Sequence, residues 1–144
     1  MLRPLYRLAD KVRHRIRLRT TLPAHAWGTR GEDLAHRYLQ RHGCIVIARN
    51  YRTPTGSAEI DLIARDGDVF VFIEVKTRIS EEYGTPDSAV DAEKRRKIQR
   101  GAEDFLRRCG QTEARVRFDV VNVIFGDGEQ VRHLPDAFRR ERGI

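Results

Sequence analysis

The sequence predicts an α/β domain, a mixed central sheet of about five strands flanked by helices. Three observations carry this expectation. Residues 69–76 read Val-Phe-Val-Phe-Ile-Glu-Val-Lys, with the strict two-residue alternation of a strand. Asp66-Gly67 stands between that run and an apolar run before it, a strong hairpin signal, since Gly accepts the positive φ of a primed turn. On either side the apolar spacing changes to a helical period. The order is then helix, three strands, a long helix and one or two strands.

Residues 1–26 are expected to form a basic, flexible N-terminal arm. Residues 1–19 carry seven basic side chains against one acid, which leaves +1 of the chain's +7 for the other 125 residues. The high charge therefore describes the arm, and Arg13, Arg15 and Arg17 are expected to add salt-dependent affinity for phosphates. Residues 27–135 form the expected domain and 136–144 a charged tail.

A first helix is expected over about 29–42, with Thr29 and Glu32 or Asp33 in a capping arrangement, a buried stripe of Leu34, Ala35, Tyr38 and Leu39, and Gly43 as its end. Trp27 reads as a hydrophobic anchor before it. Residues 44–51 form a first strand centred on Ile45, Val46 and Ile47, and residues 53–57 a turn. A long helix is expected over about 86–109, with Pro86 at its first position and Gly110 beyond its end. Its apolar stripe runs from Val90 to Ile98 through Lys94, a position that asks for an anionic partner. Arg95 and Lys97 belong to a basic block suited to solvent or to outer phosphate contacts. A fourth strand spans residues 115–125, Gly126-Asp127-Gly128 a turn, and residues 131–134 a short edge strand.

The hairpin carries the chemistry. Glu74 and Lys76 share one face of the second strand; on the first, Glu59 and Asp61 share a face and Ile60 and Leu62 the other. A two-residue turn at Asp66-Gly67 sets Glu59 opposite Glu74. A turn at Gly67-Asp68 sets Asp61 opposite Glu74 and Glu59 opposite Lys76. A slip of two residues preserves the face, so either register gathers three carboxylates and one lysine on one patch. Such a cluster is costly unless positive charge sits within it, and one lysine does not neutralise three carboxylates. A divalent cation would. An internal ion-pair network with Lys76, Lys94 and Arg78 is the other use of these charges, and its desolvation cost counts against it.

At 144 residues and 40% hydrophobic content the chain suits a single domain. Cys44 and Cys109 stand at no metal-binding spacing and read as buried thiols of a reducing compartment. No apolar run approaches the roughly 20 residues of a membrane helix, so a cytoplasmic protein with no membrane partner is expected. His-Glu-x-x-His, G-x-S-x-G and Walker-type glycine loops are absent, and no small-molecule organic cofactor is expected.

With Asp61, Glu74-Val75-Lys76 as an E-x-K, and Glu32 on the preceding helix, the chain resembles the PD-(D/E)XK nuclease superfamily, the restriction-endonuclease-like fold. More closely, residues 28–123 resemble the YraN family within it. The residues that carry this are Gly31-Glu32, Asn50-Tyr51-Arg52, residues 59–64, residues 72–78, Lys94 and Asp119-Val120-Val121. Ala58 stands where such sequences usually have glycine, and Ile60 where the superfamily signature has proline; neither change removes a carboxylate. The resemblance implies a core like that of Holliday-junction resolvases and a metal-dependent endonuclease acting on DNA, branched or otherwise structured. Glu32, Asp61, Glu74 and Lys76 would be catalytic. Asp61, Glu74 and Glu32 would hold Mg²⁺ or Mn²⁺, with Glu59 and Lys94 supporting them from behind. Arg78, Lys94, Arg95 and Lys97 would meet DNA together with the arm, in a monomer or homodimer. The alternative is a catalytically silent nucleic-acid-binding accessory protein on the same fold.

Overall fold

The computed structural model describes residues 24–79 and 90–140. Arg13, Arg15, Arg17 and the rest of the expected arm to residue 23 lie outside the described residues, as do Pro86 and the end of the tail. Helix α1 (Ala24–Arg41) is followed by β1 (Ile45–Arg52), β2 (Glu59–Asp66) and β3 (Val69–Arg78). Helix α2 (Ala92–Arg108), β4 (Arg115–Gly126) and β5 (Gly128–Phe138) complete the order. The strands lie side by side in chain order, all antiparallel except β3 and β4, which run parallel because α2 carries the chain back between them. This is the expected mixed five-stranded α/β sheet.

Each helix covers one face. Trp27, Ala35 and Leu39 of α1 pack with Leu62, Val71, Ile73, Val121, Val123 and Phe125. Ile98, Ala102 and Leu106 of α2 pack with Ile60, Ile63, Phe70, Phe72, Phe118 and Val120 on the other. Because β3 is covered on both sides, residues 70–73 are all buried, which explains its unbroken apolar run. Gly101 lets α2 settle on β2, since a Cβ there would lie 3.0 Å from Ile60 Cδ1.

The element ends differ from expectation, each for a local reason. Helix α1 begins at residue 24, so Thr29 and Glu32 lie within it and form no N-terminal cap. Trp27 extends the buried stripe by packing on Phe125, ring centroids 4.9 Å apart. Gly43, at φ +86°, ends the helix as expected. Helix α2 begins only at residue 92, because Asp91 takes an extended conformation and its Oδ1 accepts the Lys94 N–H at 2.7 Å. Val90 is buried ahead of the helix. Strand β5 runs through residue 138, into the expected tail, because Phe138 stacks on Phe118 at 5.0 Å. Cys44 is buried, but Cys109 is exposed at the end of α2, beyond the last core residue. Ile45 and Ile47, expected at the centre of β1, point outward and are 67% and 42% exposed.

Asp119 is fully buried on the α1 side of β4. Arg117 Nε donates to its Oδ1 at 2.9 Å, the Asp136 N–H donates to the same oxygen at 2.9 Å, and His133 Nε2 lies 2.7 Å from Oδ2. Burial works to raise this carboxyl, but these hydrogen bonds outweigh it and hold the group below its usual value. They tie β4 to β5 on the face opposite Glu74, a structural knot.

Candidate functional site

The hairpin loop is Gly67-Asp68: Asp66 pairs with Val69, and Gly67 has φ +63°. Glycine thus occupies the first of two loop positions, where a type II′ turn requires it. Continued beyond Leu62–Ile73, the register sets Asp61 across from Glu74 and Glu59 across from Lys76. The ladder stops there. Instead of main-chain pairing, the Val75 N–H donates to Asp61 Oδ2 at 2.8 Å, which plants this carboxylate between the parting strands.

The alternation of the neighbouring strands breaks at the same level. Asn50 in β1 has φ +50°, a left-handed residue inside a strand. Ala48 and Tyr51 consequently face the α2 side together. On β2, Ile60 joins the α2-side cluster while Leu62 joins the α1-side cluster, so the expectation that these two share a face is corrected.

Burial, then the adjacent Glu74 charge, pushes the Asp61 carboxyl up to about 7, against the pull of the Val75 N–H. Burial also raises Glu74, opposed by Lys94, by its hydrogen bond with Asp61 and by Lys76. Two carboxyls in hydrogen-bond contact require a proton or a cation between them at neutral pH. Lys94 Nζ stands 3.5 Å from Glu74 Oε1, the anionic partner its place on the stripe asked for. Glu74 Oε2 is buried without a hydrogen-bond partner.

Glu32 reaches the same neighbourhood from α1. A Cβ on Gly31 would sit 2.1 Å from Thr77 Oγ1, so only glycine lets α1 lie this close to the end of β3. Asn50 Nδ2 donates to Glu32 Oε2 at 3.1 Å, and Arg49 lies 3.6 Å from that oxygen. Burial raises Glu32, and the Asp61 charge adds to the rise. Even so, among the described residues no three His, Cys, Asp or Glu side chains come together as a metal-binding group. Asp61 and Glu74 form the pair, and Glu32 is held beside it by Asn50.

Other expected residues are placed differently. Glu59 pairs with Arg52 at 3.5 Å, towards the β1 edge. Arg95 turns inward, its Nε donating to the Val90 carbonyl at 2.7 Å and its guanidinium lying over Phe138. Lys97 pairs with Glu93 at 3.5 Å. Lys76 and Arg78 lie partly buried along the end of β3. Two residues went unread as site residues in the sequence: Asn50, for its backbone, and Asn122, fully buried across from Lys76. The available signal for Asn122 was an amide interrupting Val120-Val121-Asn122-Val123-Ile124.

Comparison with known proteins agrees over this span. The profile of a family described as "Uncharacterised protein family UPF0102" matches residues 31–123. A "UPF0102 protein" of Solibacter usitatus is 48% identical over 134 residues, covering 93% of this chain and 97% of the relative. Another, from Rhodococcus opacus, is 49% identical over 115 residues, 78% of this chain and 96% of the relative. A third, from Geobacter metallireducens, is 46% identical over 112 residues, 77% of this chain and 90% of the relative.

Proposed function

The chain belongs to the UPF0102 family, the YraN family its sequence resembles, and from that premise we propose that it is a divalent-metal-dependent nuclease hydrolysing DNA phosphodiester bonds. The observation that carries this reading is the Asp61–Glu74 pair, pinned by the Val75 N–H, with Lys76 two residues further along the Glu74 face.

The donor set fits a hard cation. Both donors are carboxylates, one buried Glu74 oxygen has no partner, and Mg²⁺ binds through one or two carboxylates while keeping several waters. Asp61 and Glu74 would hold it. When bound, such an ion neutralises phosphate charge and makes an attached water more acidic. The protein's own groups do the rest. The Val75 N–H fixes the Asp61 carboxylate, so its orientation does not depend on the substrate. Lys94 opposes the burial that raises the Glu74 carboxyl and holds its Oε1 from the α2 side. Lys76 directs the attacking water or meets the charge that builds on phosphorus in the transition state. Glu32, oriented by Asn50, completes the acidic wall through water. Lys94 and Lys97 on α2, with Arg78 on β3, would take flanking phosphates on the same side, and Arg95 braces the helix from within.

Labelled junction, flap, nicked and single-stranded DNAs incubated with Mg²⁺ or Mn²⁺ test this, beside Asp61→Ala, Glu74→Ala and an EDTA control. Metal-dependent cutting lost in both variants is expected. Binding without cutting, equal in wild type and variants, would replace this reading with that of a catalytically silent nucleic-acid-binding protein. No cutting and no binding would sink both.

A further inference from the structure

Among the described residues β5 ends the sheet, with β4 on one side and no strand on the other. Its seven residues from Gly128 to Leu134 keep an unbroken register with β4, from Gly126↔Gly128 to Val120↔Leu134. Along that length every second residue turns its N–H and C=O outward, with no bulge and no proline among them. Pro135, which has no N–H, and Asp136, with φ +52°, end the run. Gly128, Glu129, Gln130 and Arg132 are exposed, and Val131, His133 and Leu134 partly so. A regular open edge of this length is a template for one more strand, which proteins otherwise blunt or cover.

The side chains along the edge say which strand fits. Val131 packs on the α1 side and Leu134 on the α2 side. Glu129, Val131 and His133 therefore share one face, and Gln130 and Arg132 the other. A second copy pairing antiparallel about a two-fold axis keeps like faces together, so the axis must pass between two copies of one residue. At Val131 it overlaps all seven residues of the regular edge. Val131 then meets the partner's Val131, Glu129 the partner's His133, and Gln130 the partner's Arg132. The last match is already made within one strand, where Arg132 donates to Gln130 at 3.3 Å. An axis at Arg132 would set two guanidiniums against each other, and one at Gln130 would shorten the overlap to about five residues.

We propose that β5 is the contact surface for a second copy of this chain, the two β5 strands pairing antiparallel about Val131 into one ten-stranded sheet. This pairing stands apart from the nuclease reading and needs no nucleic acid. It nonetheless fixes where two sites would lie. A two-fold axis normal to the sheet leaves both Glu74 side chains on the same face. With strands about 4.8 Å apart and about 3.3 Å per residue, the two come to lie about 30 Å from each other.

The test is sedimentation equilibrium of the full chain, with circular dichroism to verify the fold of each variant. Wild type, 16.7 kDa as a single chain, is expected to sediment at twice that mass. Gln130→Arg, at an exposed position, sets an arginine against the partner's Arg132 and is expected to weaken association about tenfold or more. Adding Arg132→Gln restores the match in reverse and is expected to bring the dissociation constant back to within about threefold of wild type. Arg96→Glu, on the exposed face of α2, is expected to leave association unchanged. A wild type that stays monomeric at about 100 μM would overturn the proposal. So would a dimer indifferent to Gln130→Arg, one that Arg132→Gln fails to rescue, or one that Arg96→Glu dissolves. A dimer with the expected responses that cuts no DNA would count against the nuclease reading alone.

Discussion

Gly31 of α1 stands so close to Thr77 of β3 that an added Cβ would lie 2.1 Å from Thr77 Oγ1 and 3.2 Å from its Cβ. The next residue on the helix is Glu32 and the preceding residue on the strand is Lys76. This contact therefore sets how near the helix carboxylate comes to the strand end. Gly31→Ala is expected to destabilise the fold by about 1–3 kcal/mol, the usual range for overpacking. Adding Thr77→Ala should recover most of that loss, because it removes the nearest atom. A double-mutant cycle by chemical denaturation measures the coupling.

Asp61 sets a pH dependence with a definite sign. Its folded carboxyl is pushed up to about 7 from an ordinary value of 3.8, so between these values the folded protein binds the extra proton. Stability then falls as pH rises through that window. Metal-free protein should melt about 5 °C lower at pH 8 than at pH 5. Asp61→Asn, which keeps an acceptor for the Val75 N–H, should flatten this difference. Millimolar Mg²⁺ should offset the loss at pH 8 and do little at pH 5, where the carboxyl is protonated. Scanning calorimetry at the two pH values distinguishes these outcomes.

Lys94 is the cation facing Glu74 across 3.5 Å. Replacing it by methionine keeps the stem and removes the charge. The carboxylate pair then presents a more negative potential, and Mn²⁺ should bind roughly fivefold more tightly at pH 8 in low salt. Cleavage should nonetheless fall, since the lysine contacts phosphate in the proposed complex. Tighter metal with weaker cutting separates this role from that of a ligand; weaker Mn²⁺ binding by calorimetric titration would contradict it.

Asn50 combines a left-handed backbone with a side-chain hydrogen bond to Glu32 at 3.1 Å. Asn50→Gly keeps the backbone at ease and loses the bond. Asn50→Ala loses both, and should be about 1 kcal/mol less stable than the glycine variant by denaturant melts. The two variants should nevertheless impair cleavage equally, because Glu32 loses its anchor in each. Unequal activity would mean that the strand geometry, not the hydrogen bond, is what the site requires.

The core of the candidate site was legible because it is local. Asp61, Glu74 and Lys76 belong to one hairpin, and alternation places Glu74 and Lys76 on one face of β3; on β2 it fails beside Asp61, where Ile60 and Leu62 take opposite faces. Sequence leaves the register open between two turns: Asp-Gly favours a loop at Asp66-Gly67, whereas the observed loop is Gly67-Asp68 with glycine at its first position. The helix starts were harder. Thr29 with Glu32 is a good start signal, but Trp27 buried on Phe125 outweighed it, and Asp91 caps α2 well after the expected start. The phase break at Asn50 had no periodic signature, because asparagine is ordinary in an exposed position and its φ is set by what it must reach. Burial of Asp119 depends on strand partners brought in from β3 and β5, whereas Asn122 left only the local trace of an amide within an apolar run.

Strand β1 is one edge of the sheet, and it carries two outward-facing isoleucines, Ile45 and Ile47. A long, regular edge of that kind invites another chain to add a strand. This one is interrupted twice, by the register shift between Val46 and Ala48 and by the left-handed Asn50. An incoming strand would lose step within a few residues and would meet Arg49 and Arg52 besides. The irregularity that aims Asn50 at Glu32 thus also spoils the template for self-association, so a smoother β1 would place both the acidic wall and the protection against fibril-like pairing at risk.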